Sequence, residues 1–443
     1  MIEWNSKNIL KINNDIDCFS MEDVVEAKVD ILRKKIEPWL TAIFQSEHFS
    51  LLVGTGLPIG LTHLADIKAQ GMDRIEFDLY KEKIKDWSDK SAAESERGKA
   101  NIEDDFRSAI ELLQGLKIQG IEDAKQLETE INKKLGDFIR NIIKTEKEFN
   151  QSEKFQEALN ILKSFLISFS SRTATRERTN IFTTNYDRFI ELALDSAGIL
   201  TIDRFVGKIK PIFRNTKLEL DYHYNPPGIR GEPRYVEGVI KYTKLHGSID
   251  WKFDVNSITK LPLEFGVDES TNQIPILPKD FSVIYPNSSK GIDTAYFPYS
   301  ELFRDFSTAV CRPNSVLVTY GYGFGDTHIN RVIEDMLTLP STHLVIISFD
   351  IASGRIKNFY EKMNPAQVTL IVGNHIGNLK SLVENYLPKA AIDRIQERLV
   401  KTLDRRNIIE NYNKDNDEVD NEKSLIFQKK IMPTLTSKSE TDE

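Results

Sequence analysis

Short apolar runs bounded by glycine or polar residues recur along the chain, and longer stretches between them repeat apolar positions at helical spacing. The runs are Phe49–Val53, Asn180–Thr184, Gly238–Tyr242, Val316–Tyr320, Leu344–Phe349 and Val368–Val372. Their Val, Ile and Leu content and their brevity predict buried strands. From Glu22 to about Gln45, Val24, Val25, Val29, Ile31, Leu32, Ile36, Leu40 and Ile43 trace an amphipathic helix. Residues 66–178 are long, Glu/Lys-rich and proline-free, with helical periodicity at Phe106, Ile110, Leu112 and Leu113 and again at Phe138, Ile139, Ile142 and Ile143. They predict a helical insertion whose charged residues are most simply solvated faces. A helix is also predicted from near Tyr186 through Ala193.

Alternation of short strands with helices is the pattern of a parallel, doubly wound α/β sheet. Residues 201–300 are rich in Pro, Gly, Tyr and Asn, which predicts an irregular β-containing layer over the crevice of that sheet. The expected organisation is a helical extension over 1–48, a catalytic domain over 49–403 that includes the insertion and the irregular layer, and a polar tail over 404–443.

The polar residues gain meaning from where the strands end, because α/β sheets bind ligands in the crevice at their carboxyl ends. Four exits stand out. Gly54-Thr55-Gly56 follows the first run, Thr184-Asn185-Tyr186-Asp187 the second, and Lys244-Leu245-His246-Gly247-Ser248 lies beyond the third. Gly321-Tyr322-Gly323-Phe324-Gly325-Asp326, leading to His328, follows the fourth. Asn and Asp hold sugar hydroxyls or water, or else cap the following helix. Histidine is suited to proton transfer near neutral pH, or else is a satisfied core residue. Glycine turns let phosphates approach the backbone, or else simply turn the chain tightly.

Composition narrows the classes. Apolar content of 40% and charged content of 28% describe an ordinary globular protein. A net charge of -8 gives no global attraction to nucleic acid. No apolar run approaches the roughly 18 residues of a membrane span, and the N-terminus lacks the order of a secretory signal. Cys18 and Cys311 are the two cysteines, too few for a disulfide framework, and the location expected is cytoplasmic. Histidine spacing gives no HExxH, so no metal site is expected. There is no Walker sequence and no GxGxxG, which disfavours ATP hydrolysis and hydride transfer. Ser248, two residues beyond His246, is not read as its partner in a catalytic dyad.

The ordered set of GTGLP, Asn101-Ile102-Glu103-Asp104, TTNYD, KLHGS with Trp251, Val283-Ile284-Tyr285-Pro286 and GYGFGDTHIN resembles the prokaryotic sirtuin-like domains of antiphage defence systems, over roughly residues 49–385. The resemblance implies a Rossmann-like domain that takes NAD as substrate and cuts its nicotinamide–ribose bond. It implies that Asn185 places the attacking water or the nicotinamide ribose, that His246 is general base or orients a ribose hydroxyl, and that Asp187 holds the nicotinamide end. It implies NAD contacts from Gly54, Thr55 and Gly56 to the pyrophosphate, from Thr184 and His328, and from the Gly321, Gly323, Phe324 and Asp326 loop to the adenosine ribose. The chain departs from the deacetylase sirtuins, whose zinc module takes four cysteines, and Leu57-Pro58 stands where small residues are usual. Plain NAD hydrolysis without zinc is therefore expected over peptide deacylation. Relatives of this kind form large assemblies with HerA-type ATPases, which implies self-assembly or such a partner, nucleic acid reached only through that partner, and no membrane. The competing expectations are an NAD-dependent deacylase or ADP-ribosyl transferase, and a non-enzymatic nucleotide-sensing assembly subunit.

Overall fold

The computed structural model describes residues 2–68, 74–94, 100–172, 176–215, 220–224, 234–254, 257–268, 281–283 and 298–389. Met1–Pro388 is one compact unit, and Lys389–Glu443 forms the second unit, described only at Lys389. The tail predicted over 404–443 and the Ile284-Tyr285-Pro286 part of the sequence motif lie outside the described residues.

The main sheet has nine strands: β1 (Asn8–Ile12), β2 (Asp15–Phe19), β3 (His48–Val53), β4 (Thr179–Thr183), β5 (Leu200–Ile202), β10 (Val239–Lys244), β14 (Ser315–Tyr320), β15 (His343–Ser348) and β16 (Val368–Gly373). Their order across the sheet is β2-β1-β16-β15-β14-β3-β4-β10-β5. From β16 to β5 all neighbours are parallel. Phe49, Leu51, Leu52 and Val53 of β3 are completely buried. That explains a continuous apolar run in place of strand alternation, since both faces of a parallel sheet are covered. The chain order leaves β3 with β4 and β10 on one side and β14 and β15 on the other, so the winding reverses at β3. This is the doubly wound α/β architecture expected, and the reversal point is where such sheets open a crevice.

The first residues depart from the helical extension expected over 1–48. β1 and β2 form a hairpin that adds antiparallel to the edge strand β16, with Ile9 opposite Val372. Neither segment shows a long apolar run. Ile9 and Leu10 are buried on opposite faces of the sheet, and Lys11 is buried by donating to the Val368 carbonyl at 2.6 Å. Only α1 (Glu26–Ile43) follows the helical pattern of that segment.

Helices cover both faces. On one face lie α1, α2 (Gly56–Leu64), α6 (Phe155–Ser170), α7 (Phe189–Ala197) and, near the C-terminal end of the unit, α11 (Leu379–Asn385). On the other lie α8 (Tyr299–Val310), α9 (Thr327–Leu337) and α10 (Arg355–Lys362). The insertion supplies α3 (Lys81–Glu94), α4 (Ile102–Gln119) and α5 (Asp123–Gln151), which bury an apolar cluster of their own that reaches Tyr186, Ile249 and Leu263. The 201–300 stretch contributes a five-stranded antiparallel sheet, β6 (Phe205–Val206), β7 (Ile212–Phe213), β11 (Gly247–Asp254), β12 (Ser257–Lys260) and β13 (Phe281–Val283), besides the short hairpin β8 (His223–Tyr224) and β9 (Arg234–Tyr235). No helix among the described residues is long and apolar enough to cross a membrane.

Candidate active site

The carboxyl ends of β3, β4 and β14 meet at the reversal point, and their exits are tied by backbone. Gly54 N–H donates to the Tyr320 carbonyl at 3.0 Å, Gly56 N–H to the Gly321 carbonyl at 2.9 Å, and Thr184 N–H to the Val53 carbonyl at 3.2 Å. The glycines here are steric necessities. A Cβ on Gly54 would lie 2.5 Å from the Gly321 carbonyl oxygen, and one on Gly56 2.6 Å from the Gly321 Cα. Gly321 itself has a φ of 60°, a left-handed conformation that suits glycine.

Above these ends is a cavity of about 340 Å³. Its sheet side is made by Gly54, Thr55, Thr184, Asn185, Asp187, His246, Gly323 and Asp326, and its other walls by Asn101 and Glu103 at the start of α4 and by Phe138, Ile142 and Thr145 of α5. Four strand exits and the insertion thus share one pocket. Of the residues singled out from sequence, Gly56, Gly321, Phe324 and His328 are not on its wall. Gly56 and Gly321 are used in the backbone crossing. Phe324, with a φ of 51°, is buried against Tyr322 and Phe359, and its carbonyl accepts from Asn330 Nδ2 at 3.1 Å.

Asn185 is 4% exposed. Its Nδ2 donates to the Gly54 carbonyl at 3.0 Å, while its Oδ1, also buried, makes no hydrogen bond among the described residues. One end of the amide is anchored and the acceptor end remains for a ligand, the arrangement expected of a binding side chain rather than a core one. His246 sits between β10 and β11, 3% exposed, with the Tyr186 and Phe303 rings at 6.3 and 6.4 Å. Its Nε2 lies 3.0 Å from Asp326 Oδ2; the approach is a charge contact, not an aligned hydrogen bond. Apo catalytic contacts are often of this loose kind.

Asp187 accepts from the Phe189 N–H at a long 3.4 Å, so it caps weakly a helix that begins at Phe189 rather than near Tyr186. Burial pushes its carboxyl up to about 7, against the pull of Lys244 and with Glu146 and Glu191 adding to the rise. Lys244, 2% exposed, holds this loop in place by donating to the Tyr186 carbonyl at 3.3 Å, to the Asp187 carbonyl, and to Glu191 Oε1 at 2.9 Å. Ser248 Oγ donates to the Tyr186 carbonyl at 3.4 Å.

These residues lie in the part of the chain that has known counterparts. Residues 179–365 match the family model of the SIR2-like domain. The match supports an NAD-using, sirtuin-like activity. No curated protein matches the chain. The SIR2-like segment contains Asn185, Asp187, His246, the 321–326 loop and Arg355, but not the Gly54 turn or the insertion. Arg355 lines the pocket and donates from Nε to the Gly323 carbonyl at 2.6 Å.

Sequence reading passed over Arg355, Asp105 and Glu146, and gave Tyr322, Glu103 and Asp104 no role beyond their place in motifs. Glu103, Asp104, Asp105 and Glu146 are all buried, contrary to the solvated faces expected of that region. Asn101 and Asp104 form a reciprocal capping box at the start of α4, with Asn101 Oδ1 accepting from the Glu103 N–H at 2.9 Å. Glu146 is fully buried and bidentate to Arg188, taking its backbone N–H at 2.8 Å and Nη2 at 2.6 Å. Burial raises the Glu146 carboxyl and Arg188 opposes the rise. Arg188 follows the Asn185–Asp187 loop directly, so this ion pair joins the insertion to the site. The Asn-x-x-Asp spacing of the capping box was readable; nothing local distinguishes Glu146 from its exposed neighbours on α5.

Proposed function

We propose that this cavity takes NAD and that the chain is an NAD glycohydrolase, releasing nicotinamide and ADP-ribose. The observation that carries the reading is the convergence of the half-anchored Asn185 amide and His246 on one buried wall at the reversal point of the sheet. The residues suit the substrate. A close backbone approach at Gly54 and Thr55 admits a pyrophosphate, Arg355 brings a guanidinium to the wall, and Asn185 Oδ1 awaits a donor such as a ribose hydroxyl or water.

In the proposed step, the oxygen of a water forms a bond to C1′ of the nicotinamide ribose. The C1′–N1 bond breaks and its electron pair neutralises the pyridinium nitrogen as nicotinamide leaves. The water's proton passes to His246. Asn185 Oδ1 holds the water or the adjacent ribose hydroxyl in line, and Asp187, part-protonated near neutral pH, can donate to the carboxamide of the leaving group. Positive charge builds at C1′ in the transition state, and a wall carrying Glu103, Asp187 and Asp326 favours it.

With only two cysteines the chain cannot build a four-cysteine zinc module, which favours hydrolysis over peptide deacylation. We extend the proposal, on the motif resemblance, to an effector of antiviral defence that depletes NAD on infection, works as a homo-oligomer and is governed by a HerA-like ATPase partner. A monomer mass by light scattering, with and without that ATPase, would count against the assembly.

The decisive experiment is nicotinamide release from NAD by the purified chain, alone and with a HerA-like ATPase as the candidate partner. Asn185→Ala and His246→Ala should each lower the rate by about 10²-fold or more, the usual scale for a proton-transfer or positioning group, with melting temperatures near that of the wild type. Full activity in both variants would sink the hydrolase. Acyl transfer to ADP-ribose, or labelling of an acceptor protein, would turn the reading to a deacylase or ADP-ribosyl transferase. Binding of NAD with no turnover in any condition would leave a sensing subunit.

A further inference from the structure

We propose that Asp326 is the positioning residue of His246, a carboxylate that orients the ring and stabilises its protonated form, rather than a contact to the adenosine ribose; this rests on the NAD cleavage proposed above. The two carboxylate oxygens have separate duties. Oδ1 caps α9, accepting from the His328 N–H at 3.1 Å and the Ile329 N–H at 3.4 Å. Oδ2 lies 3.0 Å from His246 Nε2. Capping alone needs one oxygen, and Ser, Thr or Asn supplies it equally well. A full carboxylate, 9% exposed and beside a histidine that is 3% exposed, is costly to bury unless its charge has a task.

The loop that carries Asp326 is knit so that the carboxylate cannot drift. Tyr322 Oη shares its one proton between Asn330 Oδ1 at 2.9 Å and the Asp326 carbonyl at 3.2 Å, and Asn330 Nδ2 donates to the Phe324 carbonyl at 3.1 Å. These bonds lock the residues before and after Asp326 into one frame, with Phe324 held at its left-handed φ by packing on both sides. Chemically, a histidine that takes a proton from water becomes a buried cation. A carboxylate at 3.0 Å offsets the loss of solvation and raises the basicity of the ring. The other ionisable groups around His246 are the Tyr186 ring, and Glu103, Asp187 and Arg355 on the shared cavity wall; Phe303 covers the remaining ring face. Asp326 places a carboxylate at ion-pairing distance from the ring.

The test compares wild type with Asp326→Asn and Asp326→Ser, both of which keep a cap for α9. The His246 ring is titrated by NMR in the full chain, with His246→Gln used to assign its signal, and nicotinamide release is measured against pH. Expected are unchanged melting temperatures within about 2 °C, a His246 pKa lower by about one unit or more in both variants, and kcat reduced about tenfold or more with KM little changed. The acid limb of the pH profile should move to lower pH. A His246 that titrates identically in all three proteins overturns the pairing, as does a variant whose loss lies wholly in KM. The titration needs no turnover, so it decides the pairing even if the chain proves unable to cleave NAD.

Discussion

Within the site, burial pushes the Asp187 carboxyl well above the usual carboxylate range. Its carboxyl sits at about 7 instead of 3.8, chiefly through burial. A carboxylic acid with a raised folded pKa contributes stability that is complete below the unfolded pKa and is lost as pH rises through the folded one. Asp187→Asn keeps the volume and removes the proton. Measured against wild type, its melting temperature should therefore gain steadily from about pH 4 to pH 8; curves that run parallel across that range would show that Asp187 ionises normally. The residue scale is also where sequence reading was most productive. Asn185, Asp187 and His246 were legible because each stands at the polar end of an apolar strand. Glu146 and Arg355 were not, since burial of a charge depends on partners that are distant along the chain. The approach of Asp326 to His246 was not legible for the same reason: His246 is brought to it by a different strand.

Among the elements, β3 and the turn after it position the rest. The Gly54–Gly56 turn was read as a phosphate cradle, and the geometry adds a second requirement, the backbone crossing with Gly321. A methyl group at Gly54 would meet backbone atoms at 2.5 and 2.6 Å, which no side-chain rotation can relieve. Gly54→Ala should cost about 1–3 kcal/mol by urea unfolding, the range for overpacking a tight site, and should also impair any activity of the pocket. A stability equal to wild type would mean the two exits can separate freely. The parallel strands themselves were readable from their unbroken Val, Ile and Leu runs. The β1–β2 hairpin was not, because an edge hairpin buries too few residues on one face to leave a long pattern.

At the level of the whole unit, the insertion is an integral wall of the site rather than an appendage. Its helices bury their own apolar cluster, and the Glu146–Arg188 pair fastens that body to the loop bearing Asn185 and Asp187. Removing one member leaves the other charge buried alone. Glu146→Ala should therefore destabilise the protein by about 3–5 kcal/mol, and Glu146→Ala with Arg188→Met should recover part of that loss. If the double variant is no more stable than the single, the pair is not coupled in the folded state. Helical periodicity revealed that residues 66–178 form helices, but not that α4 and α5 turn acids and aromatic carbons inward to complete a pocket. That knowledge resides in the tertiary packing.

The glycine crossing has a further meaning for how such a protein can change over generations. Where two chain segments touch through bare main chain, the spacing between them is set by atoms that every amino acid shares. Substitutions in the lining of the pocket can then alter what it admits without altering the reach between its two principal edges. Changes at the insertion's lining positions, Asn101, Glu103, Phe138, Ile142 and Thr145, would reshape what the pocket admits, while the main-chain crossing keeps the same distance between the two exits.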